Sequence, residues 1–181
     1  LTGKEWLKLT KSFWMSEKCA DDKAAFGHPA PFLIKDIEKL ISFFTKKEMS
    51  VLDPFMGSGT TAIAAYNLGR LALGMDLSEK HNNITKILGL SFARLWVHVG
   101  IVDYIVTSPP YHNILKNKSK GIRNDNSHKG YRNGSRQGVE YYSDLPNDLG
   151  NQEKYEDFIL LLKQVMTLCF ELLNDNKYCS I

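Results

Sequence analysis

Residues 107–111 read T-S-P-P-Y and follow the apolar run V102-D-Y-I-V106. Two consecutive prolines cannot continue a strand, because each lacks a backbone donor and fixes φ. In the rigid corner that results, the Ser108 hydroxyl and the Pro109 carbonyl offer acceptors for the two hydrogens of an exocyclic amine. Such acceptors would free the lone pair that the aromatic ring withdraws, while the ring of Tyr111 could stack on a nucleobase. The alternative is a strand stop followed by a core tyrosine.

A second group with chemical potential is the run D53-P-F-M-G-S-G-T60. Gly57 and Gly59 let the backbone pass close to a ligand, and a helix that starts after them presents open amides to an anion. Their spacing fits neither the dinucleotide fingerprint nor the phosphate loop. Asp76 ends the next predicted strand, where a carboxylate can accept from ribose hydroxyls. Taken alone, the two glycines could form an ordinary tight turn, and Asp76 could be an anion at a helix N-terminus. Together, in the order strand, turn, helix and strand, these features indicate a nucleoside site.

The elements that must position these groups follow from hydrophobic periodicity. Helices are predicted at 32–46, 58–68, 78–89 and 153–173. Strands are predicted at 50–52, 71–75, 95–99, 102–107 and from 178 onward. Because strands alternate with helices, the sequence predicts an α/β fold with a doubly wound, mostly parallel sheet. Ligands of such sheets bind beyond the carboxyl ends of the strands.

One connection does not fit a complete fold. Only Gly100 and Ile101 separate two predicted strands, although a parallel crossover needs about a dozen residues or more. We therefore expect a break, or a connection of another kind, at this point. The chain also begins without Met and ends inside a predicted strand. We interpret residues 1–181 as a single catalytic domain whose C-terminal part is missing.

The net charge of +3 is unevenly distributed. Residues 112–150 are polar, rich in Gly and Asn, and predicted to form a long loop. Seven cations and one anion lie between 116 and 136; the cations are Lys116, Lys118, Lys120, Arg123, Lys129, Arg132 and Arg136. Charge runs are often merely solvated. Here the run starts just after the S-P-P-Y corner, which favours a polyanionic partner and makes these cations candidate contacts to it.

Composition excludes several classes of protein. The chain is 43% hydrophobic and 24% charged, which is typical of a globular domain. No run is long and apolar enough to cross a bilayer, and no signal segment is visible. The three cysteines lack metal spacing, as do the histidines, so we expect reduced thiols, no metal, no membrane partner and a cytoplasmic location.

Together the motifs resemble those of the amino-methylating DNA methyltransferases, which methylate cytosine N4 or adenine N6 and use S-adenosylmethionine (AdoMet). D53-P-F-M-G-S-G-T60 is similar to their cofactor loop, and T107-S-P-P-Y111 to their catalytic motif. H28-P-A-P-F32 resembles the segment that closes the cofactor pocket, and the stretch 141–150 resembles one found downstream of the catalytic motif. The resemblance implies a Rossmann-like AdoMet-dependent methyltransferase fold.

The resemblance also implies roles for single residues. The AdoMet site would comprise His28, Pro29, Asp53, Pro54, Phe55, Gly57, Gly59, Thr60 and Asp76. The target base would be handled by Ser108, Pro109, Pro110 and Tyr111. The target base would be flipped out of double-stranded DNA. The resemblance also implies a cognate restriction endonuclease as a candidate partner. No target-recognition region is evident, so the loop 112–150 or a part outside this chain would read the DNA sequence.

Several readings of the activity stay open. Relatives commonly carry Asp or Asn where this chain has Ser108, and the serine favours cytosine N4 over adenine N6. Methylation of RNA or of a protein glutamine is a further alternative, although glutamine methylation is usually associated with Asn at that position. A reading of a different class is a catalytically silent module that binds AdoMet and DNA. The glycine spacing disfavours a nicotinamide oxidoreductase.

Overall fold

The computed structural model describes residues 2–10, 15–25, 32–77, 102–112 and 145–181. The helices are α1 (Gly3–Leu9), α2 (Ile34–Phe44), α3 (Thr60–Asn67) and α4 (Tyr155–Leu172). The strands are β1 (Ser50–Asp53), β2 (Leu71–Gly74), β3 (Val102–Val106) and β4 (Leu173–Ser180). Short 3-10 helices cover Ala20–Ala25 and Leu149–Asn151. Helices α2, α3 and α4 and strands β1, β2 and β3 confirm the corresponding predictions, with ends shifted by one or two residues. Helix α1 and the two 3-10 helices were not predicted, and β4 starts earlier than predicted.

The four strands form one parallel sheet in the order β2-β1-β3-β4. The chain passes from β1 to β2 on one side, and β3 then lies on the other side of β1. Strand order therefore reverses between β1 and β3, and in such sheets the crevice beyond the carboxyl ends at this reversal is the usual ligand site. Asp53 ends β1 and Thr107 follows β3, so both sequence motifs meet at the reversal.

Helices cover both faces of the sheet, which confirms the doubly wound α/β prediction. On one face, Ile34, Ile37 and Ile41 of α2 pack with Ala64 and Ala65 of α3 against the sheet. On the other face, Cys169 of α4 packs in a cluster formed mainly by Leu52, Val102 and Ile105. Alternate residues of one strand thus serve opposite cores, as expected for a parallel sheet that is buried on both sides.

Strand β4 begins directly after α4 at Leu173, earlier than the predicted start at Tyr178. Its register with β3 is irregular, because Leu173 pairs with Val102 whereas Tyr178 already pairs with Tyr104. The intervening residues bulge, and Asn176 adopts a positive φ of 61°. The residues N174-D-N-K177 are polar, so the first half of this strand has no hydrophobic pattern from which it could be predicted.

Contacts with α2 anchor the N-terminal segment. Trp6 of α1 stacks on Phe43 of α2 with ring centroids 4.8 Å apart. The buried Asp22 carboxylate accepts from the backbone N–H of Ile34 at 2.9 Å and from that of Cys19 at 2.6 Å. Asp22 therefore supplies an acceptor for the first turn of α2, whose N-cap residue has no side-chain hydrogen bond.

A polar cluster lies at the opposite, amino-terminal end of the sheet. The Asp103 carboxylate accepts from the backbone N–H of Ser50 at 3.0 Å, pairs with Lys177 at 3.2 Å and receives a weaker contact from Asn174. Burial alone would raise the pKa of Asp103, but these contacts outweigh burial and lower its pKa. The cluster ties β1, β3 and β4 together far from the candidate site.

Several predicted features lie outside the described residues. They are the helix at 78–89, the strand at 95–99, the connection at Gly100-Ile101 and the loop residues 113–144. The last part of the stretch 112–150 is described and packs closely, with Asp148, Leu149 and Gly150 buried in a turn and a 3-10 helix.

Candidate active site

The turn after β1 brings the backbone sharply round into α3. Gly57 and Gly59 have positive φ values of 54° and 87°, a conformation that side chains disfavour, and both are buried. The Met56 N–H donates to the Met75 carbonyl at 2.8 Å, so the turn stays attached to the chain just beyond β2. The sequence prediction of a tight glycine turn between strand and helix is confirmed.

Asp53 lies at the centre of the site and is 1% exposed. Its carboxylate accepts from the Thr61 hydroxyl at 2.5 Å and from the Thr107 hydroxyl at 2.6 Å. The backbone N–H of Phe55 donates a third bond at 3.1 Å. Burial raises the pKa of Asp53, although the three donors oppose that shift. The carboxylate therefore joins the glycine turn and α3 to the residue that precedes Ser108.

Asp76 reaches back to the same turn from the end of β2. Its Oδ2 accepts from the backbone N–H of Gly57 at 2.9 Å, and the side chain is half-buried. The Met75 N–H donates to the Asp53 carbonyl at 3.0 Å, which extends the β1–β2 pairing up to this point. Asp76 is thus held beside the glycine turn.

Thr60 provides an observation that favours a bound ligand. It is 3% exposed, and among the described residues its hydroxyl is one of the buried side-chain atoms without a hydrogen-bond partner. An orphaned buried hydroxyl costs free energy unless a water or a ligand satisfies it. It lies in the first turn of α3, where a helix has no internal acceptors for its leading amides and attracts negative charge. The turn therefore fits a polar ligand with anionic and hydroxyl groups, such as AdoMet.

The S-P-P-Y corner follows β3 directly. Its position is fixed by the Thr107 N–H, which donates to the Ser180 carbonyl of β4 at 3.0 Å. Ser108, Pro109 and Pro110 are partly exposed, and Tyr111 is 55% exposed. The alternative that Tyr111 is a core residue is therefore wrong for the described structure. An exposed ring beside a rigid corner is available for stacking.

His112 ends the described part of the corner and packs on α4. Its ring lies 5.6 Å from that of Tyr155 and 5.5 Å from that of Phe158, measured between centroids. These ring contacts pack His112 against α4. They place the first turn of α4 next to the corner, and they leave Tyr111 exposed.

Other predicted site residues lie outside the described ranges. They are His28 and Pro29, and the seven cations Lys116, Lys118, Lys120, Arg123, Lys129, Arg132 and Arg136. Pro54 is buried and Phe55 is half-buried within the turn. No helix in the described part of the chain is long and apolar enough to span a bilayer. Within the same ranges, no group of three or more His, Cys, Asp or Glu residues is arranged to hold a metal ion.

Sequence reasoning missed two residues of the site, Thr61 and Thr107. Thr107 opens the motif T107-S-P-P-Y111 and Thr61 directly follows the motif that ends at Thr60, yet neither was given a role. Their hydroxyls face one carboxylate from positions 8 and 54 residues away from it in the chain. The sequence offered only weak indications of these roles. Thr61 is the second of two consecutive threonines after the glycine turn, and Thr107 directly precedes S-P-P-Y.

Comparison with known proteins supports the resemblance to DNA methyltransferases that the glycine-turn motif and Asp76 suggested. Residues 2–86 match the model of the family N6_N4_Mtase, described as DNA methylase. This segment includes the glycine turn and Asp76 and ends before the S-P-P-Y corner.

Curated relatives include three named Type II methyltransferases. M2.LlaDCHI of Lactococcus lactis subsp. cremoris is 38% identical over 80 residues, which are 44% of this chain and 30% of that protein. M.ScaI of Streptomyces caespitosus is 39% identical over 58 residues, 32% of this chain and 19% of that protein. M.HindIII of Haemophilus influenzae is 45% identical over 60 residues, 33% of this chain and 18% of that protein. The matched part therefore spans less than a third of each of these relatives.

Proposed function

We propose that this chain, whose residues 2–86 match the DNA methylase family model, is a member of that family. We propose further that it forms the catalytic part of an enzyme that transfers a methyl group from AdoMet to an exocyclic amino group of a DNA base. The family match supports DNA methylation and AdoMet use in general. The residues that perform the transfer and the base that receives the methyl group are parts of the proposal.

The observation that carries the proposal is the meeting of two motifs at one carboxylate. Asp53 binds the first turn of α3 through Thr61 and the start of the S-P-P-Y corner through Thr107. A ligand held by the glycine turn would therefore lie near Ser108, at the reversal of strand order where such sheets bind ligands. Methyl transfer requires this proximity of donor and acceptor.

The glycine turn would hold AdoMet. Gly57 and Gly59 allow close approach of the backbone to the cofactor. The buried Thr60 hydroxyl would form a hydrogen bond with it, and Asp76 would accept from the ribose hydroxyls. The bound cofactor supplies an electrophilic methyl group. Because the Asp53 carboxylate is buried and receives three donors, we assign it to holding the turn rather than to direct contact with the cofactor.

The S-P-P-Y corner would prepare the amine. Its nitrogen is a poor nucleophile while its lone pair is delocalised into the base. The Ser108 hydroxyl and the Pro109 carbonyl would accept the two N–H groups and favour the tetrahedral amine that develops during transfer. Pro110 keeps the carbonyl rigid, and the exposed ring of Tyr111 would stack on a base that is flipped out of the duplex. Ser108 favours cytosine N4 as the target, with adenine N6 as the alternative.

The cations between 116 and 136 would bind phosphates of double-stranded DNA without reading its sequence. A cognate restriction endonuclease and a cytoplasmic location belong to the same proposal. A silent AdoMet- and DNA-binding module is the alternative of a different class, and methylation of RNA or a protein amide is the other.

One experiment separates these functions. The intact protein is incubated with labelled AdoMet and, in parallel, with genomic DNA, RNA and a protein extract. The modified products are then identified by mass spectrometry. We expect label in DNA as N4-methylcytosine. N6-methyladenine would replace the base assignment, label only in RNA or protein would replace the substrate, and AdoMet binding without transfer would support the silent module.

A further inference from the structure

We infer that Thr107 is a positioning residue for methyl transfer, which acts through the buried Asp53 carboxylate to hold Ser108 in register with the cofactor turn. This inference rests on the proposed function and deepens it. Thr107 does not itself need to touch the base or the cofactor.

The first support is the way in which Thr107 is held. Its hydroxyl donates to Asp53 at 2.6 Å, its N–H donates to the Ser180 carbonyl at 3.0 Å, and it is 2% exposed. The residue is thus fixed by side chain to β1 and by backbone to β4. Ser108 is the next residue along the chain, so a shift of Thr107 is passed directly to it.

The second support is the shared acceptor. One oxygen of Asp53 receives Thr107 and Phe55, and the other receives Thr61 in the first turn of α3. A carboxylate that is 1% exposed gains no compensating bonds from bulk water when a donor is lost. The distance between the cofactor turn and the corner is therefore set inside the core, where packing leaves little freedom.

Thr61 provides a matched control, because each threonine donates one hydroxyl to the same carboxylate. Thr107→Val and Thr61→Val each remove that hydroxyl and keep the branched shape. Both should lower the melting temperature of the intact protein by similar amounts. A purely structural role for the network predicts that their effects on turnover are also similar.

A positioning role for Thr107 predicts a split between turnover and cofactor binding. We expect Thr107→Val to lower kcat for DNA methylation about 10- to 100-fold, since small misplacements of reacting groups cost this much. Its Kd for AdoMet should stay within about twofold of wild type. We expect Thr61→Val to show the opposite pattern, with a raised Kd and a smaller loss of kcat. Thr107→Ser should restore kcat, because it restores the hydroxyl.

The experiment measures kcat, AdoMet Kd by calorimetry and melting temperature on the same samples of the intact protein. If Thr107→Val does not fold, Thr107→Ala is measured in its place with the same expectations. Wild-type kcat in the variant, equal losses of kcat in both threonine variants, or no recovery in Thr107→Ser would overturn the inference while leaving the proposed function standing. A wild-type protein without methyl transfer would refute the proposed function, and the inference with it.

Discussion

Replacing Asp76 tests the cofactor site through its contact with the glycine turn. In the structure, Asp76 Oδ2 accepts from the Gly57 N–H at 2.9 Å, so the carboxylate shapes the turn. We propose that it also accepts from the ribose hydroxyls of AdoMet. Asp76→Ala removes a charged acceptor, and hydrogen bonds to charged groups contribute about 1.5–3 kcal/mol. Because about 1.4 kcal/mol is a tenfold change in affinity, the Kd for AdoMet should rise about 10- to 100-fold. Asp76→Asn keeps an oxygen acceptor and should give an intermediate Kd.

The assay is titration calorimetry with AdoMet, and Asp103→Ala is the matched control. Asp103 is also a half-buried acidic residue with several donors, but it lies at the opposite end of the sheet. Asp103→Ala should lower the melting temperature and leave the AdoMet Kd unchanged. A wild-type Kd in Asp76→Ala, or an equal loss of affinity in both variants, would refute the assignment of Asp76 to the cofactor site.

Three further predictions concern the corner, the basic loop and the core. Tyr111→Ala should weaken binding of a flipped base by about 1–3 kcal/mol through lost stacking, whereas Tyr111→Phe should bind DNA normally; equal binding by both would exclude stacking. Replacing Lys116, Lys118 and Lys120 by Gln should reduce the slope of log affinity against log salt by about three phosphate contacts, and an unchanged slope would mean that these lysines are only solvated. Burial raises the pKa of Tyr104 to about 12 from 10.0, so its stabilising contribution is complete below pH 10 and is lost as the pH rises toward 12. The free energy of unfolding should fall over that range in the wild type and less steeply in Tyr104→Phe; parallel curves would contradict this.

Local patterns in the sequence were sufficient to place the elements that carry the two motifs. Apolar runs that end in Asp53 and in Thr107 mark strands buried on both faces, and the glycines after Asp53 mark the turn into α3. Helices alternating with these strands then imply a parallel sheet, and the carboxyl ends of parallel strands lie at one edge. The meeting of the two motifs was therefore predictable.

The contacts between the motifs were not predictable from local patterns. Thr107 reaches Asp53 across 54 positions of sequence, and only the pairing of β1 with β3 brings them together. Asp22 reaches Ile34 from a segment that has no helical periodicity of its own. The early start of β4 was missed because its first residues are polar and bulged, so neither alternation nor apolar content marks them.

The claim that S-P-P-Y performs chemistry is tested most directly by Ser108→Ala. Turnover in DNA methylation, AdoMet Kd and melting temperature are measured on the same preparations of the intact wild-type and variant proteins. The hydroxyl is needed mainly when the amine becomes tetrahedral, so we expect a strongly reduced kcat with nearly unchanged Kd and melting temperature. A lower melting temperature with unchanged turnover per folded molecule would contradict the claim, because the corner would then be only the end of a strand.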